Sequence, residues 1–220
     1  ALPIYSYSDI RFHRSQIIGL RKTCHSFISL TKTKSSVFVV DDDGHVYRSA
    51  IGEARFHGVA TGAPVKAIAS DGDCLFAVMR GSVAVLSADG SRVLSRVSLK
   101  PSPSDTYNAS YCRNTRRLYV GRGVDEPGLA FDVTGGKLSE AAEPVPSSLK
   151  TACDYEGGVA FATDGHGVIL RRNGTDRHIT EDNAQICGDA IYSLQPDRNG
   201  NLWIGSYRKG LTLYSAHRDI

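Results

Sequence analysis

The sequence has 220 residues, 41% of them apolar and 22% charged, with a formal net charge of +3. That is the make-up of a soluble chain able to bury a core, and the weak, evenly spread charge gives no basis for nucleic acid as a partner. No run of about 18 apolar residues occurs, so direct membrane insertion by a helix is not expected.

The chain opens on IYSYSDIRFHRSQ (4–16), which alternates as a strand does. SFISL (26–30) follows, then VFVV from Val37, HVYRS (45–49) and the more polar ARFHGVAT (54–61). The same order returns as VKAIAS (65–70), LFAV from Leu75, VAVLS (83–87) and RVLSRVSL (92–99). A third pass reads YNASY (107–111), LYVG from Leu118, GLAFDV (128–133) and KLSEAAEPV (137–145). A fourth reads LKTAC (149–153), VAFAT from Val159, GVILRR (167–172) and DRHITED (176–182). The last reads IYSLQP (191–196), NLWIGS with its apolar start at Leu202, and GLTLYS (210–215), where the pattern stops after three segments.

The second segments start at Val37, Leu75, Leu118, Val159 and Leu202, at spacings of 38, 43, 41 and 43 residues. Short apolar runs between Gly, Asp, Asn and Ser clusters are strands, and no 3.6-residue period competes with them. The second segment of each unit is apolar on both faces, as in a strand sandwiched between stacked sheets. The fourth is polar and alternating, as at an outer edge. A four-strand unit repeated at this period implies an all-β fold, a β-propeller of five four-stranded blades. The whole chain, 1–220, is then one propeller domain, with repeats at approximately 20–61, 62–99, 104–145, 146–186 and 187–220. Two arrangements remain open. Residues 10–16 of the N-terminal strand can complete the fifth blade and close the ring. Alternatively, PIYSY (3–7) matches LTLYS (211–215), as in a piece of a larger, seven-bladed array.

The fifth repeat, IYSLQPDRNGNLWIGSYRKGLTLYS (191–215), resembles the two-component-regulator propeller repeat. The positions that carry the resemblance are Ile191, Ser193, Leu194, Asp197, Gly200, Asn201, Leu202, Trp203, Ile204, Gly205, Gly210, Leu211 and Tyr214, with Ser206 in place of the usual Thr. The other four copies keep only the apolar skeleton. The resemblance implies the extracytoplasmic, periplasmic sensor region of a hybrid two-component system, often one detecting glycan breakdown products. It also implies neighbouring domains or a second sensor chain as partners. Within the motif, Gly200 and Asn201 are expected at a positive-φ turn capped by Asp197, Trp203 in the core between blades, and Gly205 and Gly210 at special backbone positions.

In a propeller the loops from second to third strands share one face with the links between blades. That face would gather DDDG (41–44), MRG (79–81), RGVDEPG (122–128), TDGHG (163–167) and SYRKG (206–210). Its candidate ligand-binding residues are Arg80, Arg122, Asp125, Asp164, His166, Tyr207, Arg208 and Lys209. Mixed charge beside an aromatic suits a polar small molecule or oligosaccharide. No catalytic residue is assigned, because no nucleophile stands beside His166 in the sequence and no catalytic motif is present. A propeller lyase or glycan hydrolase, or a plain interaction scaffold, are the alternatives. DDDG (41–44) lacks the length and terminal Glu of a calcium loop and reads as a turn with exposed acids. The cysteines, Cys24, Cys74, Cys112, Cys153 and Cys187, have no metal spacing, so neither a metal site nor a cofactor is expected. On the opposite face, the basic turns TKTKSS (31–36) and CRNTRR (112–117) read as solvated.

Overall fold

The computed structural model describes residues 26–53 and 55–215. Among them are twenty strands and no helix. Blade 1 is β1 (Phe27–Lys32), β2 (Ser36–Asp41), β3 (Val46–Ala50) and β4 (His57–Val59). Blade 2 is β5 (Val65–Ser70), β6 (Cys74–Met79), β7 (Ser82–Ser87) and β8 (Val93–Ser98). Blade 3 is β9 (Asn108–Cys112), β10 (Arg117–Gly121), β11 (Pro127–Thr134) and β12 (Lys137–Glu140), with a short fifth strand, β13 (Val145–Ser147), against β11. Blade 4 is β14 (Leu149–Tyr155), β15 (Gly158–Thr163), β16 (Val168–Arg172) and β17 (Thr175–Ile179). Blade 5 shows β18 (Ile191–Pro196), β19 (Asn201–Ser206) and β20 (Gly210–Ser215). Each blade is an antiparallel meander in chain order, and the blades are arranged as a β-propeller. The proposed closing strand, residues 10–16, lies outside the described residues, as does Cys24.

The burial of each strand follows its place in the blade. β6 and β15 are buried at every position, while β8 and β12 are exposed or half-exposed throughout. A second strand has a sheet over each face, so only apolar side chains suit it. The innermost strands stand side by side around the axis: β1 by β5, β5 by β9, β9 by β14, β14 by β18. Between neighbouring blades lies a separate apolar core. Phe38, Ile68 and Leu75 pack between blades 1 and 2, and Phe76, Leu118 and Phe131 between blades 2 and 3. Tyr119, Leu149 and Phe161 pack between blades 3 and 4, and Ile191, Leu202 and Ile204 between blades 4 and 5. No such cluster joins blade 5 to blade 1 among the described residues. One blade alone cannot cover both of its faces, so stacking is what makes each sheet stable.

Two expectations need correction. Trp203 is 37% exposed and lies on blade 5 rather than in an inter-blade core, with Nε1 donating to Asp197 Oδ2 at 3.3 Å. The reason is positional: Leu202 and Ile204 fill the core shared with blade 4, and strand alternation turns Trp203 to the other face of β19, against which no blade packs among the described residues. Asp41 is buried rather than exposed. Its carboxylate accepts from the His45 backbone at 2.7 Å and from Tyr47 Oη at 3.0 Å, so it ties the loop to β3. Asp42 and Asp43 remain exposed.

The motif turn forms as its residues require. Gly200 has φ +80°, and Asp197 Oδ1 accepts from the backbones of Asn199 and Asn201 at 2.8 and 2.9 Å. Close approach explains other glycines. A Cβ on Gly205 would sit 2.2 Å from Ser193 Oγ, and one on Gly121 would sit 2.2 Å from the Leu149 carbonyl oxygen of the next blade. Gly121→Ala is therefore expected to push blades 3 and 4 apart and cost about 2 kcal/mol, read as a lower urea midpoint. An unchanged midpoint would show that this contact does not set the blade spacing. Cys74 and Cys112 are buried, Cys153 and Cys187 half-buried, and all four are free thiols. Burial, with Asp154 nearby, pushes the Cys153 thiol up to about 12, so it is unreactive at neutral pH.

Candidate ligand site on the loop face

Backbone hydrogen bonds show that the second-to-third loops and the inter-blade links share one face. Val65 donates to the Gly44 carbonyl, Leu99 to Gly81, Ser148 to Glu126, and Tyr207 to Ala190. Asp164 donates to the Ser148 carbonyl at 3.0 Å. Each link is thereby held against a loop.

The start of the innermost strand has its own device. The register of β1, β5, β14 and β18 shifts between the first and third residues, leaving Ile28, Lys66, Lys150 and Tyr192 as the extra residue. A bulge re-aims the side chain that it adds. In blade 3 the equivalent residue is Asn108, which opens β9. These five positions recur at spacings of 38, 42, 42 and 42 residues. Lys66 pairs with Asp105 at 2.7 Å, and Asn108 Nδ2 donates to the Leu149 carbonyl at 3.2 Å.

Between blades 4 and 5 the two sets of residues meet. Lys150 Nζ lies 3.1 Å from Asp164 Oδ2, and Tyr192 Oη donates to the same oxygen at 2.9 Å. Lys150 Nζ also lies 4.7 Å from the Tyr192 ring centroid. The Tyr192 ring stacks on Tyr207 with centroids 5.0 Å apart and planes at 27°. The Arg208 guanidinium lies 4.9 Å from the Tyr207 centroid. The result is a stack of cation, aromatic, aromatic and cation, with both tyrosines nearly half exposed. Arg208 holds φ +57°, which turns the short loop back to Gly210. Partial burial raises the Asp164 carboxyl, but hydrogen bonds from Lys150 and Tyr192 outweigh that and hold it below the usual carboxylate range. Asp164 is thus ionised at neutral pH and neutralises Lys150, leaving Arg208 as the uncompensated charge of the stack. The arrangement offers hydroxyls, a carboxylate and a guanidinium beside flat apolar surface.

Of the residues expected from sequence, Asp164, Tyr207 and Arg208 come together here. His166 is exposed on the Asp164 loop, where its backbone donates to Thr163 Oγ1 at 3.2 Å. Lys209 turns away and pairs with Glu181 at 3.1 Å. Arg122 is 5% exposed and acts as a strut, donating to the Pro127 carbonyl at 3.0 and 2.8 Å and to Lys100 at 3.3 Å. Arg80 and Asp125 are exposed on the loops of blades 2 and 3, apart from the stack. Asp125 has φ +59° and donates its N–H to Ser148 Oγ at 2.8 Å. Lys150 and Tyr192 were missed because they belong to strands. Their signal in the sequence was a polar residue directly after the buried anchor of the first strand, Leu149 or Ile191.

Residues 185–208 match the family model described as two component regulator propeller, a segment that includes Tyr192, Tyr207 and Arg208. No curated protein sequence matches the chain. Among solved structures, the WD40 repeats of RRP9 are similar at a TM-score of 0.68 and 15% identity, over 90% of this chain and 63% of that one. The extracellular domain of a putative hybrid two component system from B. thetaiotaomicron is similar at 0.64 and 14% identity, over 94% of this chain and 30% of that one. Virginiamycin B lyase from Staphylococcus aureus is similar at 0.58 and 11% identity, over 88% of this chain and 71% of that one. This chain spans under two thirds of the first two structures. At these identities the likenesses show the fold alone. The chain is a β-propeller that carries, at residues 185–208, a repeat matching the two component regulator propeller family.

Proposed function

We propose that the chain is a non-enzymatic sensing propeller, part of the extracytoplasmic sensor region of a hybrid two-component signalling protein. It binds a polar small molecule, such as a sugar or glycan fragment, on its loop face. The observation that carries this reading is the stack of Lys150, Tyr192, Tyr207 and Arg208 with Asp164. Lys150 and Asp164 belong to blade 4 and the other three to blade 5, so a ligand there touches two blades at once. Binding then bears on blade spacing, and a neighbouring domain or second sensor chain is the element that reads it. The match at 185–208 and the fold shared with a two-component extracellular domain support the reading.

A thermal-shift screen of mono- and oligosaccharides and their uronic acids tests it, since a ligand that binds only the folded chain raises its melting temperature. A hit is expected whose affinity falls about tenfold in Tyr192→Ala and in Arg208→Ala, the loss of one aromatic or cationic contact. Affinity unchanged in both variants would remove the loop face as the site. Turnover of the bound saccharide, abolished in Asp164→Ala or His166→Ala, would replace the sensor by an enzyme.

A further inference from the structure

A second polar recess lies on the opposite face, where the first-to-second turns of blades 3 and 4 meet the third-to-fourth turn of blade 4. It is an open cavity of about 470 Å³, within the usual range for small-ligand sites. Its walls are Asn114, Arg117, Glu143, Arg171, Asn173 and Asp176, with the backbone of Gly157 and Gly158 between them. The charges along the wall are already matched. Glu143 bridges Arg117 and Arg171, with Oε1 at 2.8 Å from Arg171 Nη1. Asp132 takes Arg117 Nε at 2.7 Å, and Asp176 takes Arg171 Nε and Nη2 at 2.6 and 2.7 Å.

That matching decides the chemistry of the ligand. Neither guanidinium is a free cation, so an anion would face the Glu143 and Asp176 carboxylates and gain little. Hydrogen-bonding capacity nevertheless remains. Among the described residues Arg117 Nη2 has no acceptor, and the Asn173 amide has no partner. Asn114 uses its Nδ2 on the Gly158 carbonyl at 2.8 Å and keeps its Oδ1. The carboxylates retain unused lone pairs. Donors and acceptors therefore alternate on planar groups around an open space. A hydroxyl both donates and accepts, so a row of neighbouring hydroxyls satisfies such a wall where an ion does not.

We propose that this cavity is a binding site for a neutral polyhydroxylated ligand, a mono- or disaccharide, independent of the loop-face stack. Glu143 lies on the segment between β12 and β13, and its two arginines belong to blades 3 and 4. A ligand held by Glu143 and Asn173 would thus act on the same joint that the ion pairs fasten.

The test is amide NMR on the labelled chain, titrated with glucose, galactose, mannose and their disaccharides at millimolar concentration, with glucuronate as the charged control. At least one neutral sugar is expected to shift the amides of Gly157, Gly158, Asn173 and Gly174, and glucuronate is not. Asn173→Gly suits the left-handed turn at φ +51° and leaves the ion pairs intact. It is expected to weaken binding about fivefold, the worth of a neutral hydrogen bond. Glu143→Gln is expected to weaken it about tenfold, the worth of a bond to a charged group. Lys150→Ala, on the loop face, should leave the shifts of these four amides unchanged. No shift with any neutral sugar, equal shifts with glucuronate, or loss of the response in Lys150→Ala would each overturn the proposal. The last result would assign the response to the loop face, and the others would leave the loop-face reading standing.

Discussion

Phe161→Ala is expected to destabilise the chain by about 4 kcal/mol, the largest loss from any single substitution considered. Phe161 is fully buried on β15 and meets Tyr119 edge-on, with centroids 5.0 Å apart and planes at 86°. The Arg171 guanidinium stands 5.2 Å from the centroid of the same ring. Truncation opens a cavity between blades 3 and 4, where the walls are rigid sheets that cannot collapse inward. It also removes the aromatic pair, worth about 1 kcal/mol beyond burial. The check is urea unfolding followed by circular dichroism, with a fall in melting temperature of about 10 °C. A loss under about 1 kcal/mol would mean that the sheets close over the gap, contrary to the packing argument.

Glu143→Ala is expected to cost about 3 kcal/mol, the lower end for removing one partner from a buried ionic group, because the site is partly open to water. The carboxylate stands between Arg117 and Arg171 and accepts from Tyr119 Oη at 3.4 Å. Side-chain exposure is 12% for Glu143 and 15% for Arg171. Without the carboxylate the two guanidiniums keep Asp132 and Asp176 but repel each other across the joint. Added salt screens that repulsion, so the variant should recover part of its loss as ionic strength rises. Equal salt dependence in the variant and the parent would show that repulsion is not the cause. The arginine partners also set a pH limit. The hydrogen bond from Arg171 lowers the Asp176 carboxyl, and the charge of Arg171 adds to this against the effect of burial. A carboxyl lowered in the folded state stabilises above its unfolded value, and that contribution is lost as pH falls through the folded value. The parent should therefore lose stability below about pH 4.

How far the sequence reaches differs between scaffold and site. The first three strands of each blade lie within a residue or two of their expected positions, because each is fixed locally by which of its faces is covered, whereas the outer strands of blades 1, 3 and 4 end or begin three to five residues from theirs. β6 and β15 are apolar throughout since sheets lie on both sides, and that constraint is written in adjacent residues. The Asp197 cap and the Gly200 turn are legible for the same reason, their partners being within four residues. Trp203 shows the limit. Its apolar character said buried, yet alternation turned it to the face opposite Leu202 and Ile204, where no blade packs among the described residues.

The amino-acid sequence by itself determined the repeat, the strand order and the loops that gather on one face. Four strands and their turns give a period of about 42 residues, and the short apolar runs set it apart from helical repeats of similar length. Only the tertiary structure decided which loop residues act together. Lys150 meets Tyr192 across 42 residues of chain, and Glu143 meets Arg117 and Arg171 across 26 and 28. It also turned Arg122 inward onto Pro127 while leaving Arg80 in water. Those choices depend on how closely neighbouring blades approach and on the bulges that re-aim single side chains. Spacing and re-aiming follow from packing between units distant in the chain, which a local pattern of residues does not encode.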